Sequence, residues 1–368
     1  MKVLVIGYTH PKYDKRVFRT VQTFAKENEV IYQYLSTKEE DSYTERNITY
    51  MPLLYGKIRE KKNFSELLKE VSKRQRFDKA VLELIAKSDY DIAYFHHFLP
   101  TKPVKAFKIA KKRGKRIIFD IHEYHPENFL KTLSGFSKRI IEKIAWNFFK
   151  KQIELSDKLI FVSEETMSDI FEKVEFRKPA LVLPNYASLS VEPTEKRKEI
   201  VFVGKIQRGI SKEKEILRKL NDLEIKFKVI GINSDIFKDI PHEYTSFLPY
   251  EQMMMELSKS MFSLISFSTT GNETYKNDIF SLPNKFYDSI AAGTPVIVKN
   301  TFVSMVKLVE KYGIGVVIDP SDVEGSVKKI LDAFENYEYY RQNVEKCKHL
   351  FVWDEEKEGE FLEFVFKD

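Results

Sequence analysis

The sequence predicts two doubly wound α/β domains in series, each a parallel sheet covered by helices on both faces. Three observations predict it. At roughly 150 residues per domain, a chain of 368 residues divides into two units, each able to bury its own core. Each half alternates short β-branched or aromatic runs with longer amphipathic segments, the signature of parallel strands joined by crossover helices. The halves also differ in charge. Residues 1–190 hold 36 Lys+Arg and 25 Asp+Glu, net +11, leaving 25 and 30 of the chain's 61 basic and 55 acidic residues, net −5, for 191–368. Opposite signs suggest different partners for the two domains.

In the first half the strand-like runs are 2–7, 29–35, 48–52, 91–96, 116–121, 158–163 and 180–184. Helical segments at 15–27, 64–87, 103–113, 136–155 and 164–173 separate most of them. This gives a first domain over 1–184. The text then turns polar, with Pro193, and 185–198 reads as a linker. A second alternation follows over 199–345, with strands at 199–204, 226–231, 244–248, 262–267, 295–298 and 315–318. Its helices are 211–221, 251–259, 284–292, 302–312 and 323–335. The stretch 337–366 is helical and rich in aromatics, and 346–368 is expected to pack back on the first domain.

Composition narrows the function classes. Cys347 is the only cysteine, so there is no internal disulfide and no cysteine-built zinc site. No apolar run approaches the roughly 18 residues of a membrane span. The run from Val3 to Gly7 is too short for the apolar region of a signal peptide. A cytoplasmic chain is expected, soluble or peripheral on the inner face of the membrane. Nucleic acid is not an expected partner, because the cations are spread over helices without an aromatic-interleaved motif.

In doubly wound sheets, ligands bind beyond the carboxyl ends of the strands. The first strand leads into Gly7-Tyr8-Thr9-His10, Asp14 and Arg16, with only one of the three glycines a dinucleotide fingerprint needs. This loop is either a solvated basic face or a contact for an anionic acceptor. The strand at 91–96 delivers His96 at its carboxyl end, whereas Asp89 and Asp91 precede it at the wrong end for a metal site. The next strand runs into Asp120-Ile121-His122-Glu123-Tyr124-His125, whose histidines are too closely spaced for His-Glu-x-x-His. No metal is expected there, and an acceptor loop competes with a plain surface loop.

In the second half, Gly204, Lys205, Arg208 and Gly209 form a glycine-framed basic loop after a buried strand. Lys205 as a compact charge and Arg208 as a bidentate donor suit a diphosphate. The segment from Ser281 to Ile297 carries the sharpest pattern. Ser281 and Pro283 suit a helix start, whose free N–H groups favour phosphate. Asn284 and Asp288 share one helix face, with Lys285 beside them, and Asp288 is placed to accept hydrogen bonds from ribose hydroxyls.

Taken together, these segments resemble the family-4-type (glycosyl transferases group 1) retaining glycosyltransferases of the GT-B fold. The resemblance runs through Asp14-x-Arg16-Val17, Asp91 to His96, Asp120-x-His122-Glu123, Ser156-Asp157, Leu183-Pro184-Asn185 and Val203-Gly204-Lys205. Leu282-Pro283-Asn284-Lys285-Phe286-Tyr287-Asp288 through Thr294-Pro295-Val296-Ile297 is its most specific part. It implies two Rossmann-like domains facing each other across a cleft and a nucleoside-diphosphate-sugar donor, with no metal or other cofactor. Lys205 and Arg208 would hold the diphosphate, Asp288 the ribose, and His96 the transferred sugar. Asp14, Arg16, His122 and Glu123 would face the acceptor, a saccharide or lipid-linked hydroxyl. Phe280 stands where many members carry a Glu, which shifts donor-sugar recognition toward 268–277. Rival readings are a nucleotide-sugar 2-epimerase of the same fold and an inactive nucleotide-sugar-binding protein. The segment 136–151 mixes cations with Trp146, Phe148 and Phe149. It is either a helix for an anionic membrane surface or one whose Ile140, Ile141 and Ile144 pack on the core.

Overall fold

A computed structural model describes residues 1–55, 64–96, 102–124, 135–204, 210–231, 235–266 and 275–367. The chain forms two compact units, Met1–Leu183 with Glu356–Asp368, and Pro184–Glu355.

Unit 1 runs β1 (Lys2–Pro11), α1 (Lys15–Ala25), β2 (Glu29–Ser36), β3 (Tyr43–Glu45), β4 (Ile48–Leu54), α2 (Phe64–Lys87), β5 (Ile92–His96), α3 (Lys105–Lys112), β6 (Arg116–Ile121), α4 (Gly135–Leu155), β7 (Lys158–Phe161), α5 (Glu164–Val174) and β8 (Ala180–Val182). Among the described residues these strands form an eight-stranded sheet in the order β3-β4-β2-β1-β5-β6-β7-β8. The pairings are parallel except for the short β3 on β4, a strand absent from the sequence reading. Val3 to Ile6 are fully buried, as are Ile92 to Phe95. Such unbroken apolar runs belong in a sheet covered on both faces. The strand order reverses at β1, which lies between β2 and β5, so the carboxyl ends of β1 and β5 flank the switch point where ligands bind.

Unit 2 runs β9 (Arg197–Val203), α6 (Ser211–Asp222), β10 (Lys226–Ile230), β11 (Glu243–Thr245), α7 (Tyr250–Ser258), β12 (Ser260–Ile265), α8 (Lys276–Ile279), α9 (Asn284–Ala291), β13 (Val296–Lys299), α10 (Val303–Tyr312), β14 (Gly315–Ile318), α11 (Val323–Glu335) and α12 (Tyr337–Cys347). Its parallel sheet has the order β11-β10-β9-β12-β13-β14, with the switch point between β9 and β12.

Two connections differ from the sequence reading. Residues 185–198 are not a free linker but part of unit 2. Ala187 is fully buried, and Leu189 and Val191 pack with it against Val201, Met254 and Leu257. The C-terminal stretch breaks after α12. The backbone around Val352 bridges to Ala187, with Ala187 N–H donating to Phe351 O at 2.9 Å and Trp353 N–H to Ala187 O at 2.9 Å. A continuing helix would use those groups internally. The last helix, α13 (Glu355–Phe366), returns to unit 1, where Phe361 stacks on Phe24 with centroids 5.3 Å apart. No helix among the described residues is long and apolar enough to cross a membrane.

Candidate active site

The carboxyl ends of β1, β5 and β6 converge on Asp120. Parallel pairing sets His96, the last residue of β5, opposite Asp120 of β6. Asp120 is fully buried, and a buried carboxylate needs donors. Arg16 clamps it from α1, with Nη2 2.7 Å from Oδ1 and Nε 3.1 Å from Oδ2. Tyr94 Oη donates to Oδ2 at 2.9 Å. Burial alone would raise the Asp120 carboxyl, but the Arg16 guanidinium and His122 outweigh it and hold the group well below the usual carboxylate range.

Two histidines complete the cluster. His96 Nδ1 lies 2.8 Å from His122 Nε2, and Asp120 Oδ2 lies 3.3 and 3.4 Å from these two nitrogens. One of the paired nitrogens must carry the proton and the other accept it. Burial drives both imidazoles toward the neutral form against the pull of Asp120, His122 to about 3 and His96 below its ordinary value. His96 is fully buried, and its Nε2 has no hydrogen-bond partner among the described residues. The ring of His10 approaches His122 to 5.3 Å.

Side-chain nitrogens and oxygen of His96, Asp120 and His122 lie within 4.8 Å of one another, a spacing that could hold a metal ion. The chemistry of the donor set argues otherwise. Asp120 is already neutralised by a bidentate guanidinium and bonded by a phenol, and the two histidines bond each other. A cation would have to displace these bonds and share the carboxylate with Arg16.

The structure changes the parts expected of the neighbouring residues. Arg16 is 4% exposed and spends its third nitrogen on Leu183 O at 2.6 Å, so it positions Asp120 rather than facing an acceptor. Asp14 caps α1, accepting from Arg16 N–H at 3.2 Å and Val17 N–H at 3.1 Å, and also pairs with His10 Nδ1 at 3.2 Å. Asp14 thus serves the loop's architecture, because short polar side chains at a helix start bond the nearest free N–H groups. His122 is brought to the cluster, and Glu123 is exposed beside it. His125 lies outside the described residues. Asp91 accepts from Lys2 N–H at 2.8 Å, at the opposite end of the sheet.

Unit 2 presents its own strand-end group. Lys205 and Arg208, the expected diphosphate clamp, lie outside the described residues, as does most of 268–277. Gly204, at the end of β9, has φ +101°, and a Cβ on Gly231 would stand 3.3 Å from Gly204 N. Glycine lets these two strand ends approach each other. Asn185 Nδ2 donates to Leu282 O at 2.9 Å, anchoring the entry to α9. That helix starts at Asn284 with Pro283 at the cap position and no side-chain cap bond, so Ser281 does not cap it. Exposed Asn284 leads the helix. Lys285 Nζ donates to Ser266 O at 2.6 Å and sits 4.3 Å from the Phe202 ring centroid. Burial pushes its amine down to about 7.

Asp288 is only 5% exposed, and its Oδ1 accepts from Tyr250 Oη at 2.7 Å. It therefore ties α9 to the start of α7. Beside Lys285 a buried network joins Glu213 Oε1 to Lys299 Nζ at 3.1 Å and to Ser266 Oγ at 2.8 Å. Sequence reading missed Tyr94, Tyr250 and this network. A charged residue closing an apolar strand, as Lys299 closes β13, was the available signal.

Residues 29–190 match the family model described as Glycosyltransferase Family 4, and residues 200–361 match Glucosyltransferase 3-like, C-terminal domain. No curated protein matches the sequence. Among solved structures, sucrose-phosphate synthase from Thermosynechococcus elongatus is similar with a TM-score of 0.69 at 13% identity, over 99% of this chain and 98% of that one. Anabaena HepE in complex with UDP gives 0.64 at 10% identity, over 99% of both chains. An E. coli structure described as trehalose-6-phosphate bound with UDP-2-fluoro glucose gives 0.65 at 13% identity, over 100% of this chain and 99% of that one. At these identities the structural likeness bears on the fold.

Proposed function

Because this chain belongs to the GT-B glycosyltransferases of family-4 type, we propose that it moves a sugar from a nucleoside-diphosphate sugar to an acceptor hydroxyl with retention of configuration. Unit 2 binds the nucleotide and unit 1 serves the sugar and acceptor. The observation that carries the donor half is the side-chain-uncapped start of α9, whose second residue, Lys285, sends its amine to Ser266 O at the carboxyl end of β12. A helix N-terminus and an amine at one strand-end site are what a diphosphate requires. Lys205 and Arg208 complete the phosphate site, Gly204 allows close approach, Asn284 leads the helix, and Asp288 reaches the ribose. Similar structures with UDP or a UDP-sugar analogue bound support the same donor class.

In unit 1 the reading assigns the transferred sugar to His96, whose buried Nε2 has no hydrogen-bond partner among the described residues. Asp120 is unavailable as a nucleophile because both its oxygens are held by Arg16. This supports retention without a covalent enzyme intermediate. The bond from the anomeric carbon to the diphosphate oxygen breaks while the acceptor oxygen bonds on the same face, and the leaving oxygen takes the acceptor proton. Cations and N–H groups stabilise the departing charge by preorganised electrostatics, and no metal is required. His122 and Glu123 line the acceptor side. The acceptor is a saccharide or lipid-linked hydroxyl of cell-surface polysaccharide or glycolipid synthesis, reached on the cytoplasmic side of the membrane.

The test supplies UDP-, GDP- and dTDP-sugars with and without an acceptor extract, each with and without EDTA, and determines the anomeric configuration of any product. Transfer with retention, indifferent to EDTA, is expected. His96→Ala should cut turnover and leave nucleotide affinity nearly intact, the pattern of an interaction made mainly in the transition state. A free epimerised sugar without acceptor would establish the epimerase instead. Nucleotide binding with no product from any donor would mark an inactive binding protein.

A further inference from the structure

The helix α4 has two apolar faces, and among the described residues only one is buried by the fold. Phe149, Gln152 and Ile153 are buried, and Trp146 is half-buried against Phe149 with centroids 5.8 Å apart. Ile140, Ile144 and Phe148 recur every fourth residue along a separate row, and Ile141 adjoins it. They remain 47%, 47%, 44% and 38% exposed respectively. The sequence left open whether these isoleucines pack on the core; in the structure all three are exposed. Around them stand Lys138, Arg139, Lys143, Lys150 and Lys151 against Glu142 and Glu154. Among the described residues Lys138, Arg139 and Lys143 are exposed and form no ion pair, while Lys151 is paired with Glu154 at 2.6 Å.

We propose that this outer face of α4 is the surface by which unit 1 docks on an anionic lipid bilayer. It deepens the lipid-linked acceptor of the proposed function, resting on that reading only for the reason to visit a membrane. A stripe of large apolar side chains flanked by unpaired cations is suited to lie in the headgroup region, apolar residues inward and cations on lipid phosphate. The flanking charge also selects the occupant. A second copy of the chain would bring the same cations against these, whereas an anionic surface neutralises them. The inner face of the helix adds a link to the site. Trp146 packs on Tyr124, two residues beyond His122, with centroids 6.1 Å apart. A headgroup-linked acceptor arriving at α4 thus arrives beside the loop that carries the histidine cluster.

Co-sedimentation of the full chain with vesicles tests this, using phosphatidylcholine alone or with about one third phosphatidylglycerol, at low and high salt. Partition into anionic vesicles should exceed that into neutral ones at least about tenfold and weaken as salt screens the charges. Lys138→Gln and Lys143→Gln should each lower it by roughly fivefold. Ile144→Ser with Phe148→Ser should abolish what binding survives at high salt. Circular dichroism and nucleotide-induced melting shifts verify that the variants fold, and they keep a failure here distinct from a failure of the donor reading. Equal partition into neutral vesicles overturns the proposal. So does anionic binding indifferent to the lysine substitutions, or a concentration-dependent dimer without vesicle binding.

Discussion

Asp120 shows how one residue organises a site. It gathers Arg16, Tyr94, His96 and His122 around a single fully buried carboxylate. Its low value and the depressed histidines make the stability of unit 1 depend on pH. An unfolded histidine titrates near 6.5, whereas His122 in the fold titrates at about 3. Between these values the unfolded chain holds the extra proton, so stability is retained above about 6.5 and falls as pH drops toward 3. Asp120 acts in the same sense below about 4, because its folded value is lowered and its contribution is lost on acidification. Urea unfolding at successive pH values from 7 to 4 should show this decline. His122→Asn should flatten it by up to about 1.4 kcal/mol per pH unit, the worth of one proton. An unchanged slope would mean that His122 is not held neutral by the fold.

At the scale of elements, α9 has two demands on one side chain. Asp288 lies one turn inside the helix, where the proposed nucleotide would present its ribose, yet it accepts the Tyr250 hydroxyl at 2.7 Å. That bond fixes the start of α7 against α9, and Tyr250 Oη lies 3.1 Å from Ser188 N–H as well. The two parts separate by mutation. Asp288→Ala should weaken nucleoside-diphosphate binding by roughly 1.5–3 kcal/mol, the range for hydrogen bonds to a charged group. Tyr250→Phe should lower the melting temperature with a much smaller effect on affinity. Calorimetric titration alongside thermal unfolding reads both. Undiminished affinity in Asp288→Ala would assign the carboxylate to the Tyr250 bond alone.

Across the whole molecule, the chain ends by returning to the unit in which it began. The α13 helix buries Phe361 and Val365, and Lys158 Nζ and Arg116 Nη1 donate to its terminal carbonyls Phe364 O and Phe366 O at 2.7 and 3.1 Å. Cations at a helix C-terminus satisfy carbonyls that have no partner within the helix. Phe361 stacks on Phe24 and meets Tyr94 edge-on, so this last helix supports the back of the strand that carries His96. Phe361→Ala should destabilise unit 1 by about 3–5 kcal/mol, the usual cost of deleting a buried aromatic ring. Urea unfolding followed by probes in each unit should show the loss in unit 1, with unit 2 unmoved. A loss shared equally by both units would contradict this placement of α13.

The sequence by itself determined the fold class and most of the elements, though not the short β3 or the break between α12 and α13. Buried runs such as Val3–Ile6 and amphipathic segments such as Lys15–Ala25 are local patterns, and local periodicity is set by which faces must leave water. The positions of His96, His122 and Asp288 near strand ends and a helix start were legible for the same reason. Partnership was not legible. Arg16 and Asp120 are 104 residues apart, and nothing local says that a basic residue in a loop-like motif will be consumed by a buried carboxylate instead of a ligand. The outward turn of Ile140, Ile141 and Ile144 also escaped the pattern, because α4 is apolar on more than one side and only the packing of Phe149 and Ile153 chooses the inner face. Tertiary structure decided these cases because burial and pairing depend on which distant groups arrive, and an ionised or apolar side chain takes its role from the neighbours it meets.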